Sequence, residues 1–176
     1  MSAVVRALPA LVALPLLTAP SPAYAATEIS CRAAGNAHFL PGVQMSVQSQ
    51  HVTYRGTQQD CIDHSALGIT AVRFSAEFED VDLACVDRDF GRGTGTATLQ
   101  WRLGKAEPTS TADVTIEDTT ANRVTMGGVV REGAFEGRRF RGAFDTSLLG
   151  GAGRCEAGAL FGGVRSAPFE GSFSID

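Results

Sequence analysis

Aromatic residues are scarce in this chain of 176 residues, which holds one Trp and two Tyr. One of the tyrosines, Tyr24, lies in an N-terminal leader, so Trp101 and Tyr54 are the only large amphipathic rings beyond it. That leaves no platform for stacking sugars. After the first two dozen residues no apolar run approaches the ~20 residues a helical membrane span needs. The four cysteines, Cys31, Cys61, Cys85 and Cys155, contain no C-x-x-C pair, which removes the usual basis for a structural zinc site. There is no G-x-S-x-G nucleophile elbow. No ordered Asp-x-Asp-x-Asp-Gly calcium loop occurs either. No window of a dozen residues beyond the leader carries apolar side chains at helical period. A formal net charge of −4 argues against a general nucleic-acid binder.

What is present begins with a leader. Met1 to Arg6 carries a single basic side chain, and Ala7 to Leu17 is mostly Ala, Leu and Val. Small residues then lead to Ala23-Tyr24-Ala25, the A-x-A pattern of a secretory cleavage site. Residues 1–25 are therefore expected to be a signal peptide, and residues 26–176 one exported, extracellular domain of ordinary size.

Along that domain the apolar period is two. Val43, Met45 and Val47 alternate with polar neighbours, and Val52 and Tyr54 continue the extended reading. Phe74, Ala76 and Phe78 alternate, as do Val114 and Ile116. Phe140, Gly142 and Phe144 alternate with charged residues, and Phe169, Gly171, Phe173 and Ile175 close the chain. Such segments are strands with one dry and one wet face. GRGTGTATLQWRLG, residues 91 to 104, resembles a phosphate-binding loop at first sight. Its glycines lead into no helix and no Lys-Ser/Thr follows, so the nucleotide reading fails. Instead Ala97, Leu99, Trp101 and Leu103 alternate with Thr96, Thr98, Gln100 and Arg102, which reads as a strand.

Turns are expected at Gly56, Gly68, Gly91 to Gly95, Gly104 to Pro108, Asp118 to Asn122, Gly133 to Gly137 and Gly150 to Gly153. About nine strands at this spacing imply an all-β domain, a single antiparallel β-barrel or rolled β-sandwich. Gly142 and Gly171, inward beside phenylalanines, tilt the reading toward the barrel. An even number of cysteines in an exported chain implies two disulfides. If the strands run up and down in order, Cys31 and Cys61 share one end and Cys85 and Cys155 the other. That favours the pairs Cys31–Cys61 and Cys85–Cys155, although a crossing connection would undo the assignment.

The runs GTGTATLQWRLG, TSTADVTI and GGVVREGAFEG, with Leu40-Pro41-Gly42 and a late cysteine, resemble a pattern in small exported β proteins of high-GC actinobacteria. The shared residues are turn and core residues. The resemblance implies a fold and a compartment and transfers no catalytic residue.

Three groups of side chains are candidates for chemistry. Asp60-Cys61-Ile62-Asp63-His64-Ser65 places carboxylates, an imidazole and a hydroxyl together; the simpler reading is a polar loop pinned by a disulfide. Asp80, Asp82, Asp87 and Asp89 are a weak candidate for calcium in an expected loop, with solvated charges the simpler account. Arg131, Arg138, Arg139 and Arg141 bracket the Gly133 to Gly137 turn and form a possible binding patch for an anionic polymer or a partner's carboxylates. Pairing with Asp113, Glu117 and Glu132 is the alternative. His38 and His51 carry no motif. The sequence implies no cofactor and no metal, and reads as a monomer with an extracellular ligand or protein partner. Binding or recognition is expected rather than catalysis. The alternatives are a hydrolase using His64 with nearby carboxylates and an inhibitor presenting one rigid loop.

Overall fold

The computed structural model describes residues 27–85, 92–120, 123–146 and 162–176, the side chains of residues 119 and 120 excepted. Eight strands follow one another: β1 (Ile29–Val43), β2 (Gln48–Asp63), β3 (Ala71–Leu83), β4 (Thr94–Arg102), β5 (Thr109–Thr120), β6 (Arg123–Glu132), β7 (Arg139–Thr146) and β8 (Val164–Ile175). Each pairs antiparallel with the next, and β8 pairs back onto β1, so the sheet closes into a barrel. Among the described residues there is no helix. Closure leaves no sheet edge exposed.

The described residues hold eight strands, and one boundary differs from expectation at the start. Val43, Met45 and Val47 were expected to form part of a strand. Val43 instead ends β1, while Met45 and Val47 lie in the connection to β2 and stand 44% and 55% exposed. The Leu40-Pro41-Gly42 turn is in fact inside β1. There the β1–β8 register breaks between His38 and Val43, so the missing Pro41 N–H interrupts no ladder. Buried Gln50 of β2 supplies the substitute: its Oε1 accepts from the Gly42 N–H at 2.9 Å.

The expected turn at Gly56 is likewise a strand interior. Gly56 lies opposite Gly35, and β2 continues to Asp63. A Cβ at Gly35 would fall 2.1 Å from the Arg55 carbonyl oxygen, and one at Gly56 would fall 2.4 Å from that of Phe74. The two glycines therefore let three backbones approach where the sheet coils, a use of glycine that mimics a turn signal in sequence.

Alternation sends the rings inward. Phe135 packs on Trp101 (centroids 5.6 Å apart), Trp101 on Phe173 (6.3 Å), and Phe173 on Phe140 and Phe74 (5.2 and 5.8 Å). Phe74 stacks on Phe144 at 5.0 Å, and Tyr54 joins Phe144, Phe169 and Phe78. The column fills the barrel lengthwise with the edge-to-face and offset contacts that rings prefer. Gly142 makes room for it, since a Cβ there would lie 2.6 Å from the Phe144 ring. Burial pushes the Tyr54 phenol far above its ordinary value. Its hydroxyl makes no hydrogen bond with the described residues.

Two fastenings hold the end where β1 begins. Cys31 and Cys61 face each other across β1 and β2 and form a disulfide. At a sequence separation of 30, the cross-link removes unfolded-state entropy worth ~3–4 kcal/mol. Phe135, at φ 69° in the turn between β6 and β7, turns its ring onto Trp101. Trp101 Nε1–H donates to Ser110 Oγ, which donates to the Ala134 carbonyl, each at 2.8 Å. Among the described residues no cysteine is free. Cys155, expected to join Cys85, lies outside the described residues.

Candidate functional site

The aromatic column lies inside the barrel, and the described strands also form a concave surface on the outside. A groove of about 860 Å³ crosses the outer wall over β5 to β8 and onto β1. Register explains it. Thr115, Gly127, Arg141, Ser174 and Ser30 form one outward row across five strands, and Thr125, Ala143 and Ser172 form the next. Most of these side chains are small, so the wall is low there. Glu117 reaches across it: a Cβ at Gly127 would meet Glu117 Oε1 at 1.8 Å. Val129 and Arg139 complete the rim on the side of the β6–β7 turn.

The four arginines of the expected patch divide between this groove and its surroundings. Arg131 pairs with Asp113 and Arg138 with Glu28, both at 2.5 Å. Arg141 stands 3.8 Å from Asp176, a loose pair that leaves most of its guanidinium to the groove. Arg139 has no ion pair among the described residues. Exposed pairs of this kind contribute ~0–1 kcal/mol each, so they neutralise charge more than they stabilise. The polar groups of the groove are therefore hydroxyls, two guanidinium groups and one carboxylate, set beside apolar Val129 and Ala143.

Asp63, His64 and Ser65 are together, and their hydrogen bonds are those of a turn. Asp63 Oδ1 accepts from the Ser65 N–H and hydroxyl at 2.8 and 2.5 Å, and Oδ2 accepts from the N–H groups of Gly68 and Ile69 at 2.8 and 2.9 Å. Burial works to raise the Asp63 carboxyl, but these four donors outweigh it and hold it below its ordinary value. The His64 ring is exposed and takes no part; only its backbone N–H is engaged, by the Glu28 carbonyl. Both oxygens of the carboxylate are thus committed to the loop backbone.

The acidic run is not the loop it was expected to be. Asp80 and Asp82 belong to β3, where Asp80 Oδ1 accepts from the Ser49 hydroxyl at 3.2 Å. Asp87 and Asp89 lie outside the described residues.

One cluster escaped sequence reading. His51 of β2 has Nε2 2.9 Å from Glu77 and Nδ1 3.0 Å from Glu79, both on β3. The hydrogen bond to Glu79, aided by the charges of both carboxylates, raises the imidazole above its ordinary value against the opposing effect of burial. A bulge assembles the cluster. The register breaks between Gln50 and Val52, and Asp80 takes φ 54°, so two β3 residues face one on β2. The i, i+2 spacing of Glu77 and Glu79 was visible in sequence, but their partner lies 26 residues away and only the register reveals it.

Comparison with protein-family models, with curated proteins and with solved structures finds no match to this chain.

Proposed function

We propose that this protein is an exported, non-catalytic recognition domain that binds an anionic partner in the outer groove over β5 to β8. The observation that carries the reading is the groove itself, about 860 Å³ on the wall of a barrel whose inside is occupied by rings. A rigid, ring-filled barrel costs little ordering entropy when its surface binds a partner. Arg139 and Arg141 suit a carboxylate or phosphate, and the serines and threonines suit a ligand rich in hydroxyls. An anionic glycan or polyol-phosphate polymer outside the cell combines both features. The disulfide agrees with export, and the moderate acidity of the chain disfavours nucleic acid. Because Asp63 is engaged by its own loop, a hydrolase centred on His64 has less support.

The test is a binding screen of the processed, oxidised monomer against anionic cell-envelope polymers, with Arg139→Glu/Arg141→Glu beside the parent. The parent should bind in a salt-sensitive manner and the double variant should lose most of its affinity. Equal binding by both would overturn the assignment of the groove.

A second reading has one observation behind it. The loop after β2 is exposed, pinned by Asp63 and anchored by the Cys31–Cys61 disulfide, and it offers Leu67 at 49% exposure. Such a loop suits an inhibitor. However, Ala66 and Gly68 have φ of 63° and 81°, a folded knuckle rather than the extended strand a protease cleft accepts. Stoichiometric loss of protease activity on titration would favour this reading over the groove.

A further inference from the structure

We propose that the outer face of β1 to β3 holds a divalent transition-metal ion of the zinc class, bound above Thr53 by His38, His51 and Glu77, with Glu79 orienting His51. The inference is independent of the groove, which lies over β5 to β8 and meets β1 only at Ser30. It starts from the register. His38 on β1, Thr53 on β2 and Glu77 on β3 form one cross-strand row. His51 is two residues before Thr53 on the same strand, so its side chain leaves the same face. Its Nε2 points along the row, 3.2 Å from Thr53 Oγ1 and 2.9 Å from Glu77 Oε1. His38 stands directly across from Thr53, making the two imidazoles diagonal neighbours at a Cα spacing of ~7–8 Å.

The chemistry of the donors fits. Two imidazoles and one carboxylate are borderline ligands suited to zinc, and a fourth position remains open to solvent. Donors around a tetrahedral zinc sit ~3.4 Å apart, from bond lengths of ~2.0–2.2 Å. One ligand atom from each of His51, Glu77 and Glu79 already lies within 4.8 Å of the others, and His38 would join His51 and Glu77 by a change of rotamer. His38 is exposed and free to choose its rotamer. Its β8 neighbour, Ser166, and the β4 neighbour of Glu77, Thr96, are both small. Glu79, 3.0 Å from Nδ1, accepts that N–H and leaves Nε2 as the ligating nitrogen, the outer-shell arrangement that fixes the orientation of metal-binding histidines. Among the described residues neither Glu77 nor Glu79 pairs with a lysine or arginine, so none of those cations competes.

The experiment is calorimetric titration of the processed, oxidised protein with zinc chloride, alongside calcium chloride and a cobalt(II) absorption spectrum. Zinc should bind at one site, and cobalt should give the visible bands of a site with nitrogen ligands. His51→Ala, His38→Ala and Glu77→Gln should each weaken zinc by at least ~10-fold, and Glu79→Gln by several-fold, all with an unchanged circular dichroism spectrum. Calcium, which takes oxygen ligands, should not compete. Absence of saturable zinc binding, undiminished binding in either histidine variant, or displacement of zinc by calcium would each overturn the proposal.

Discussion

The inside of the barrel and its outer wall over β5 to β8 both depend on missing side chains, with opposite results. Inside, Gly142 gives up its Cβ and the Phe144 and Phe140 rings occupy the space. Outside, Ala143 and Ser172 fill little of the wall and Gly127 yields to Glu117 alone, so a groove remains. The same alternation produces both, because residues 140, 142 and 144 face in while 139, 141 and 143 face out. A mutation on β7 should therefore act on stability or on binding according to parity.

The largest break in that comparison should come from Phe74→Ala. Its ring contacts Phe140, Phe144, Phe169 and Phe173, and its loss should cost ~3–5 kcal/mol in chemical denaturation. Replacing Cys31 and Cys61 together by serine should cost ~3–4 kcal/mol, read as a fall in the denaturation midpoint with the barrel spectrum retained in the absence of denaturant.

Asp63→Ala should destabilise by about 1–2 kcal/mol at neutral pH, since it removes four hydrogen bonds to a charged group. The sign with pH follows from the lowered carboxyl. The native state favours the ionised form, so the contribution is complete above the unfolded-state value. It disappears as pH falls through the still lower folded value. The difference between parent and variant, followed by urea unfolding, should shrink below pH 4 or so.

Tyr54→Phe sharpens the account of the interior. It removes a buried hydroxyl with no partner among the described residues and keeps the ring contacts, so the thermal midpoint should stay or rise. Arg139→Glu, on the opposite parity, should change stability by no more than ~0.5 kcal/mol while weakening the binding of an anionic polymer.

Much of this barrel was legible from period alone. Phe74, Phe78, Trp101, Phe140, Phe144, Phe169 and Phe173 were all expected on a dry face and all lie inside, because a two-residue period needs no knowledge of neighbours. The Cys31–Cys61 bridge followed from assuming strands that run up and down in order, as they do here. What failed was local punctuation. Gly56 and Leu40-Pro41-Gly42 carry turn chemistry, yet they serve close backbone approach and a register break within long strands. The site residues were less legible than the core. His51 acquires meaning only when a bulge brings Glu77 and Glu79 to it, and the groove depends on rows assembled from five strands. Neither leaves a motif along the chain.

Trp101, the only tryptophan, gives the most direct measurement of whether this barrel binds on its wall or in its interior. It is fully buried between Phe135 and Phe173. Its fluorescence should be blue-shifted, resist acrylamide and stay unchanged as apolar ligands are titrated into the folded protein. A saturable, stoichiometric change in that emission would mean the rings yield to a guest, and the account of a filled barrel would be wrong.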